Sequence, residues 1–239
     1  MSLNGSRVVI VGGTSGIGFA TAHAAVDAGA DVVIASSRQA SVDAALGELS
    51  STTTGRALDV LDSATVRDFF SAVGAFDHLV YTAGEPLRLL PVEGLDLDQA
   101  RSFFQVRYFG ALNAVSAAAP QIRPGGSITL TSGSARTRPG AGWAVASSLC
   151  GAITSLAGAL ALELAPIRVN TVEPGIVRSP LWSGMSVDEQ EAMYRRQAEV
   201  LPAGRVGEVE DVAQAFLYAM THSFTTGASI PVDGGALLV

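Results

Sequence analysis

The sequence predicts an α/β protein, with one doubly wound parallel sheet of seven strands, helices on both faces, and a single domain over residues 1–239. Three observations carry that prediction. Short β-branched runs alternate with longer helical patterns from one end of the chain to the other. The strand runs are apolar along their length, as strands covered on both faces must be. A glycine-rich turn joins the first run to the first helical pattern. A length of 239 residues is enough to bury a two-sided sheet, and no linker or internal repeat divides it.

The strands read in order as RVVIV at 7–11, DVVIA at 31–35, a weaker run ending near Ala57 and Leu58, HLVYT at 78–82, SITLTS at 127–132, IRVNTV at 167–172 and ASIPVD at 228–233. Helical spacing fills the intervals at 17–28, 42–49, 64–72, 97–118, 144–164, 187–200 and 209–220. No apolar run reads as a membrane span, because the longest are strand-sized or carry charges.

Composition narrows the function. A net charge of -7, with the acidic groups scattered, argues against a nucleic-acid or anionic-membrane surface and leaves small-molecule chemistry or a protein partner. The single cysteine, Cys150, excludes an intramolecular disulfide framework and, with no leader before Arg7, points to the cytoplasm. His23, His78 and His222 lie far apart, without metal-ligand spacing, so no metal is expected. All fifteen basic residues are Arg; the chain has no Lys.

VGGTSGIG, residues 11–18, follows the first strand and opens the first helix. Gly12, Gly16 and Gly18 allow a tight turn and a close approach of a pyrophosphate to main-chain N–H groups, with Thr14, Ser15 and Ile17 lining it. Further motifs follow in order: Asp59 and Val60 in ALDV, YTAG ending in Ala83 and Gly84, EPGI with Pro174, Gly175 and Ile176, and VDGG at 232–235. Together they resemble the short-chain dehydrogenase/reductase family over essentially the whole chain. The resemblance implies a Rossmann-type domain, a nicotinamide dinucleotide, and a homotetramer or homodimer packed through two long helices and the last strand. Val11 stands where that family usually has threonine, and YTAG replaces both asparagines of its NNAG motif.

The end of the second strand bears on which dinucleotide is preferred. An NAD-preferring site has Asp or Glu there for the ribose hydroxyls. Here Ser36, Ser37 and Arg38 occupy it, and hydroxyls with a guanidinium suit a 2′-phosphate, so NADP(H) is expected over NAD(H).

The resemblance also implies a catalytic asparagine, serine, tyrosine and lysine. Their positions fall on Arg107, Gly133, Ala146 and Cys150, so all four residues are absent. No lysine elsewhere can substitute, and a tyrosine with no cation beside it stays near a pKa of roughly 10. Tyr81 and Tyr108 are the nearest tyrosines by sequence, and helical spacing marks Tyr108 as a packing residue. Cys150 on an apolar helix face reads as inert, since a nucleophilic thiolate needs a cationic neighbour and access.

Three of the four changes remove volume and Arg107 adds it, so Arg107 is expected either to fill the emptied space or to turn outward to a subunit interface. No acidic residue stands at the matched positions. Its expected partner inside is therefore a substrate carboxylate or enolate, or carbonyls of the 132–134 loop. Ser132 and Ser134, flanking Gly133, are the remaining candidate proton donors.

Residues 178–202 resemble a substrate lid, with Leu181, Trp182 and Met185 as its apolar face and Trp143 on the facing loop. An inward Trp182 implies a substrate with an apolar or aromatic part. The function expected is an NADP(H)-dependent oxidoreductase with a non-standard site, acting on a small carbonyl, hydroxyl, imine or enone compound. The alternative is an inactive dinucleotide-binding module, or a supporting subunit in a mixed oligomer with an active relative; non-redox chemistry on the same fold is a third.

Overall fold

Strand β1 (Arg7–Val11) shows how the sheet is built: Val8 and Ile10 point into one apolar layer, Val9 and Val11 into the other, and all four are buried. In the computed structural model, which describes residues 1–239, β1 is joined by β2 (Asp31–Ser36), β3 (Thr54–Ala57), β4 (Phe76–Tyr81), β5 (Ile122–Thr131) and β6 (Arg168–Pro174). Two-residue strands β7 (Val177–Arg178) and β8 (Gly207–Glu208) pair with each other outside this sheet. The last strand of the main sheet is β9 (Ser229–Val232). Its order is β3-β2-β1-β4-β5-β6-β9, with every pairing parallel. That is the seven-stranded doubly wound sheet the sequence predicts, and the strand order reverses between β1 and β4, where such folds bind ligands.

The helices are α1 (Gly16–Asp27), α2 (Gln39–Leu46), α3 (Ser63–Val73), α4 (Leu97–Phe104), α5 (Ala111–Ala118), α6 (Ala144–Glu163), α7 (Val187–Val200) and α8 (Val209–Thr221). α1, α2 and α8 cover one face; α3, α4, α5 and α6 cover the other. Local chemistry starts several of them. Asp62 accepts the Ala64 and Thr65 amides at α3, Asp96 accepts those of Asp98 and Gln99 at α4, and Ser186 with Glu189 forms a reciprocal cap at α7.

Two expectations need correction. The helix expected to run unbroken over 97–118 is interrupted by a π-helical turn, Gln105–Gly110. Tyr81 Oη donates to the Val106 carbonyl at 2.5 Å, and a Cβ at position 110 would stand 2.6 Å from that oxygen. A buried tyrosine thus takes a carbonyl out of the helical ladder, and glycine leaves room for it. Second, α6 is long and apolar enough to cross a membrane by length and composition. In the fold its inner face, with Leu149, Ile153 and Leu160, packs in the sheet's core.

Candidate functional site

The cofactor positions converge at the C-terminal ends of β1, β2, β4 and β6. Gly12 and Gly16 have φ of +92° and +52°, in the left-handed region. A Cβ on Gly12 would lie 2.5 Å from the Ala83 nitrogen, and one on Gly18 2.1 Å from the Gly12 carbonyl oxygen. Glycine is therefore required for the closeness of the turn. The Thr82 hydroxyl lies 3.2 Å from both the Val11 and Gly12 carbonyls and braces the turn from β4. Ser15 precedes α1 without capping it through its side chain, so the first-turn amides remain open to an anion.

Ser36 ends β2, with Ser37 and Arg38 exposed beside it. Asp59 accepts the Leu61 amide at 2.9 Å, and buried Val60 follows it. Pro174 ends β6, and the Gly175 amide donates to the Val232 carbonyl. A Cβ at 175 would stand 2.8 Å from Asp233 Cα. The residues expected for a dinucleotide, Ala83, Gly84 and Ile176 among them, thus follow the C-terminal ends of strands along one edge of the sheet. An open helix N-terminus behind a cradle that side chains would fill fits a pyrophosphate.

At the chemical end the matched positions also converge. Ala146 and Cys150 lie one turn apart on α6, and a Cβ on Gly133 would sit 3.2 Å from Cys150 Sγ. The Cys150 thiol is pushed up to about 11, first by burial and then by the Glu173 carboxylate, so it is no nucleophile at neutral pH. Ser132 Oγ lies 2.9 Å from the Cys150 carbonyl oxygen and 3.1 Å from Thr154 Oγ1, held against α6. Ser134 opens the 3-10 turn Ser134–Arg136. Tyr81 is committed to the π-turn, and burial raises its phenol far above the ordinary value. Tyr108 packs with Phe104 and Phe109, as expected.

Arg107 requires a correction. It faces inward, but its partner is neither the 132–134 loop nor open space: Nη1 donates to Glu85 Oε2 at 2.8 Å, and Nη2 to the Glu85 carbonyl. The guanidinium sits 4.5 Å from the centre of the Phe103 ring, and its Cζ would be 2.9 Å from a Cβ on Gly84. The π-turn presents it on the inner helix face.

A second carboxylate also escaped the sequence reading. Glu173 is 1% exposed; it accepts Arg136 Nε at 2.9 Å and Nη2 at 3.1 Å, and Thr154 Oγ1 at 3.0 Å. Burial of an acid at the end of an apolar strand was the available signal, but its partner lies 37 residues away.

The segment expected as a lid packs around a small core of Trp182, Tyr194, Leu201 and Val206. Trp182 Nε1 donates to the Val177 carbonyl, and the ring lies 6.4 Å from Trp143, so Trp182 points inward. Met185 packs with it, whereas Leu181 is exposed and contributes its carbonyl to the Leu87 amide, contrary to the expectation that it joins the apolar face.

A glycine turn and an uncapped helix N-terminus at the switch point of a doubly wound parallel sheet define a Rossmann-type α/β protein. The family model for an SDR-like Rossmann domain matches residues 2–239. The short-chain dehydrogenase/reductase ucsE of Acremonium sp. is 39% identical, covering 97% of this chain and 95% of its own. A small-chain dehydrogenase in complex with NADPH is 38% identical with a TM-score of 0.86, covering 98% of this chain and 99% of its own. The MalC reductase/Diels-Alderase of Malbranchea aurantiaca superposes with a TM-score of 0.91 at 28% identity, covering 99% and 98% of the two chains. The chain belongs to the short-chain dehydrogenase/reductase family of oxidoreductases.

Proposed function

We propose that this chain is an NADP(H)-dependent reductase with a non-standard site, acting on a small carbonyl, imine or enone compound. The observation that carries the reading is the complete cradle, Gly12, Gly16 and Gly18 under an uncapped α1, beside a site without tyrosine or lysine. A bound nicotinamide supplies a hydride to an electrophilic carbon. Arg38 with Ser36 and Ser37 supports NADP(H) over NAD(H), and the NADPH complex of the 38% identical relative points the same way. Arg107, fixed by Glu85, stabilises developing negative charge, and Ser134 or water returns the proton. Trp143 and Trp182 receive an apolar part of the substrate.

Titration with NADPH and NADH, read by fluorescence, tests the cofactor; consumption of the reduced nicotinamide with ketones, imines and enones tests the reaction. We expect tighter NADPH binding, with the preference reduced about tenfold or more in Arg38→Ala. Arg107→Ala is expected to lower kcat by a factor of about 100 or more. Failure to bind either dinucleotide overturns the reading.

A second reading rests on the Malbranchea relative, described as both reductase and Diels-Alderase. A cycloaddition transfers no proton, so a site without the tyrosine–lysine pair suits it. Cyclisation of a diene substrate at the same rate with oxidised cofactor and with none separates this reading from reduction.

A homo-oligomer in the cytoplasm completes the proposal. Leu97, Phe109, Leu112 and Leu162 are exposed on α4, the π-turn, α5 and α6, and Phe224 and Leu238 flank β9.

A further inference from the structure

Two ion pairs stand at the positions matched to the missing residues and beside them, Arg107 with Glu85 and Arg136 with Glu173. Arg136 belongs to the short turn directly after Gly133, the position whose missing side chain points at Cys150 Sγ. It spends Nε and Nη2 on Glu173, so Nη1 keeps both of its hydrogens. Glu173 is buried and fixed from the other side by Thr154, so the partly exposed guanidinium is anchored at two points to a carboxylate that is itself held in place. Arg107, on the π-turn, donates to one carboxylate oxygen and the main-chain carbonyl of half-exposed Glu85 and keeps Nε. Thr154 Oγ1 lies 3.0 Å from both Glu173 Oε1 and the Cys150 carbonyl oxygen, which ties the Arg136–Glu173 pair to α6 at Cys150, and the π-turn that carries Arg107 packs against the same helix. Each has a carboxylate behind it, so the charge is compensated while one edge stays free, the arrangement that stabilises a developing anion without reorganisation.

What the site lacks decides which anion. Hydride addition to an isolated ketone leaves an alkoxide, whose conjugate acid is about as weak an acid as water. A guanidinium holds its own proton too tightly to donate it. No tyrosine–lysine pair is present to protonate the oxygen as it forms. A conjugated acceptor avoids the problem. Hydride adds at the β-carbon, the C=C electron pair moves to form a Cα=C bond, and the carbonyl pair moves onto oxygen. The reduced nicotinamide is oxidised, and water later protonates the α-carbon. The enolate needs only to be held.

Resting on the reductase reading above, we propose that Arg136, positioned by Glu173, and Arg107 form an enolate-holding cradle, and that the substrate class is the conjugated carbonyl compound, an enone with an apolar body, rather than the isolated ketone.

The test has one arm that needs no turnover. The probe 1-phenylbutane-1,3-dione absorbs differently as neutral and enolate forms, so its ionisation is followed on the protein without cofactor. Bound to the wild type, its midpoint is expected at least one pH unit below that in buffer, a tenfold preference for the anion. Arg136→Gln is expected to abolish the shift, Arg136→Lys to restore part of it, and Glu173→Gln to reduce it. NADPH titration of each variant reports that the fold is intact. An unshifted midpoint in the wild type, or the same shift in Arg136→Gln, overturns the proposal. In the second arm, NADPH is supplied with 4-phenylbut-3-en-2-one or 4-phenylbutan-2-one, and the enone is expected to react at least tenfold faster and yield the saturated ketone. An enone reduced no faster than the ketone, including no reduction of either, overturns the enone assignment. Loss of NADPH binding is the separate outcome that overturns the reductase reading itself.

Discussion

Glu85 and Glu173 carry more of the site than their positions in the sequence suggest. Arg107 is largely buried against Phe103, so Glu85→Gln leaves a guanidinium with a weaker partner; discounted for the half-exposed carboxylate, the expected cost is about 1–2 kcal/mol in chemical denaturation. His78 makes a different kind of commitment. Its Nδ1 lies 2.9 Å from Ser127 Oγ, and burial, aided by Arg168 and opposed by Asp77, lowers its pKa from 6.5 to about 4. The unfolded chain therefore binds the extra proton first as pH falls. The stabilisation is complete above about 6.5 and is lost as pH falls toward 4, by about 3 kcal/mol at most. His78→Gln is expected to flatten the dependence of Tm on pH across that window; an unchanged slope refutes the assignment. Neither effect is legible in the sequence, because Glu85 and Arg107 are 22 residues apart and His78 and Ser127 49.

At the scale of elements, the strands and most helices were legible because hydrophobic period and glycine placement are local properties. α7 matches its expected span of 187–200, and the end of β5 fell within one residue of expectation. The π-turn was not legible. QVRYFG continues the helical pattern, and the interruption is imposed by Tyr81 from β4. Gly110→Ala is expected to press a methyl group onto Tyr81 and Val60, costing about 1–3 kcal/mol and displacing Arg107; a variant with wild-type Tm and unchanged substrate kinetics refutes that link. The segment at 178–202 gives a parallel case. Trp182 was marked as apolar lid surface, but whether it turned inward depended on the Val177 carbonyl and on Trp143. Trp182→Ala is expected to destabilise the lid core by about 3 kcal/mol and to raise KM more than it lowers kcat.

For the molecule as a whole, α6 joins the two scales. Its inner face belongs to the sheet's core, while Leu162 is 85% exposed on the outer face; the homo-oligomer proposed above would cover that face with a second copy. Leu162→Glu is expected to shift the species seen by analytical ultracentrifugation toward monomer; a sedimentation coefficient unchanged at micromolar concentration refutes the interface. By itself the sequence determined the class of fold, the glycine cradle, the serine and arginine at the end of β2 and the absence of tyrosine and lysine from the site, because each is written in neighbouring residues or in composition. Only the tertiary structure decided that Arg107 faces Glu85 and that Glu173 holds Arg136. A buried charge takes whichever partner the packing brings within hydrogen-bond reach, and that choice is made between strands and helices far apart in the chain.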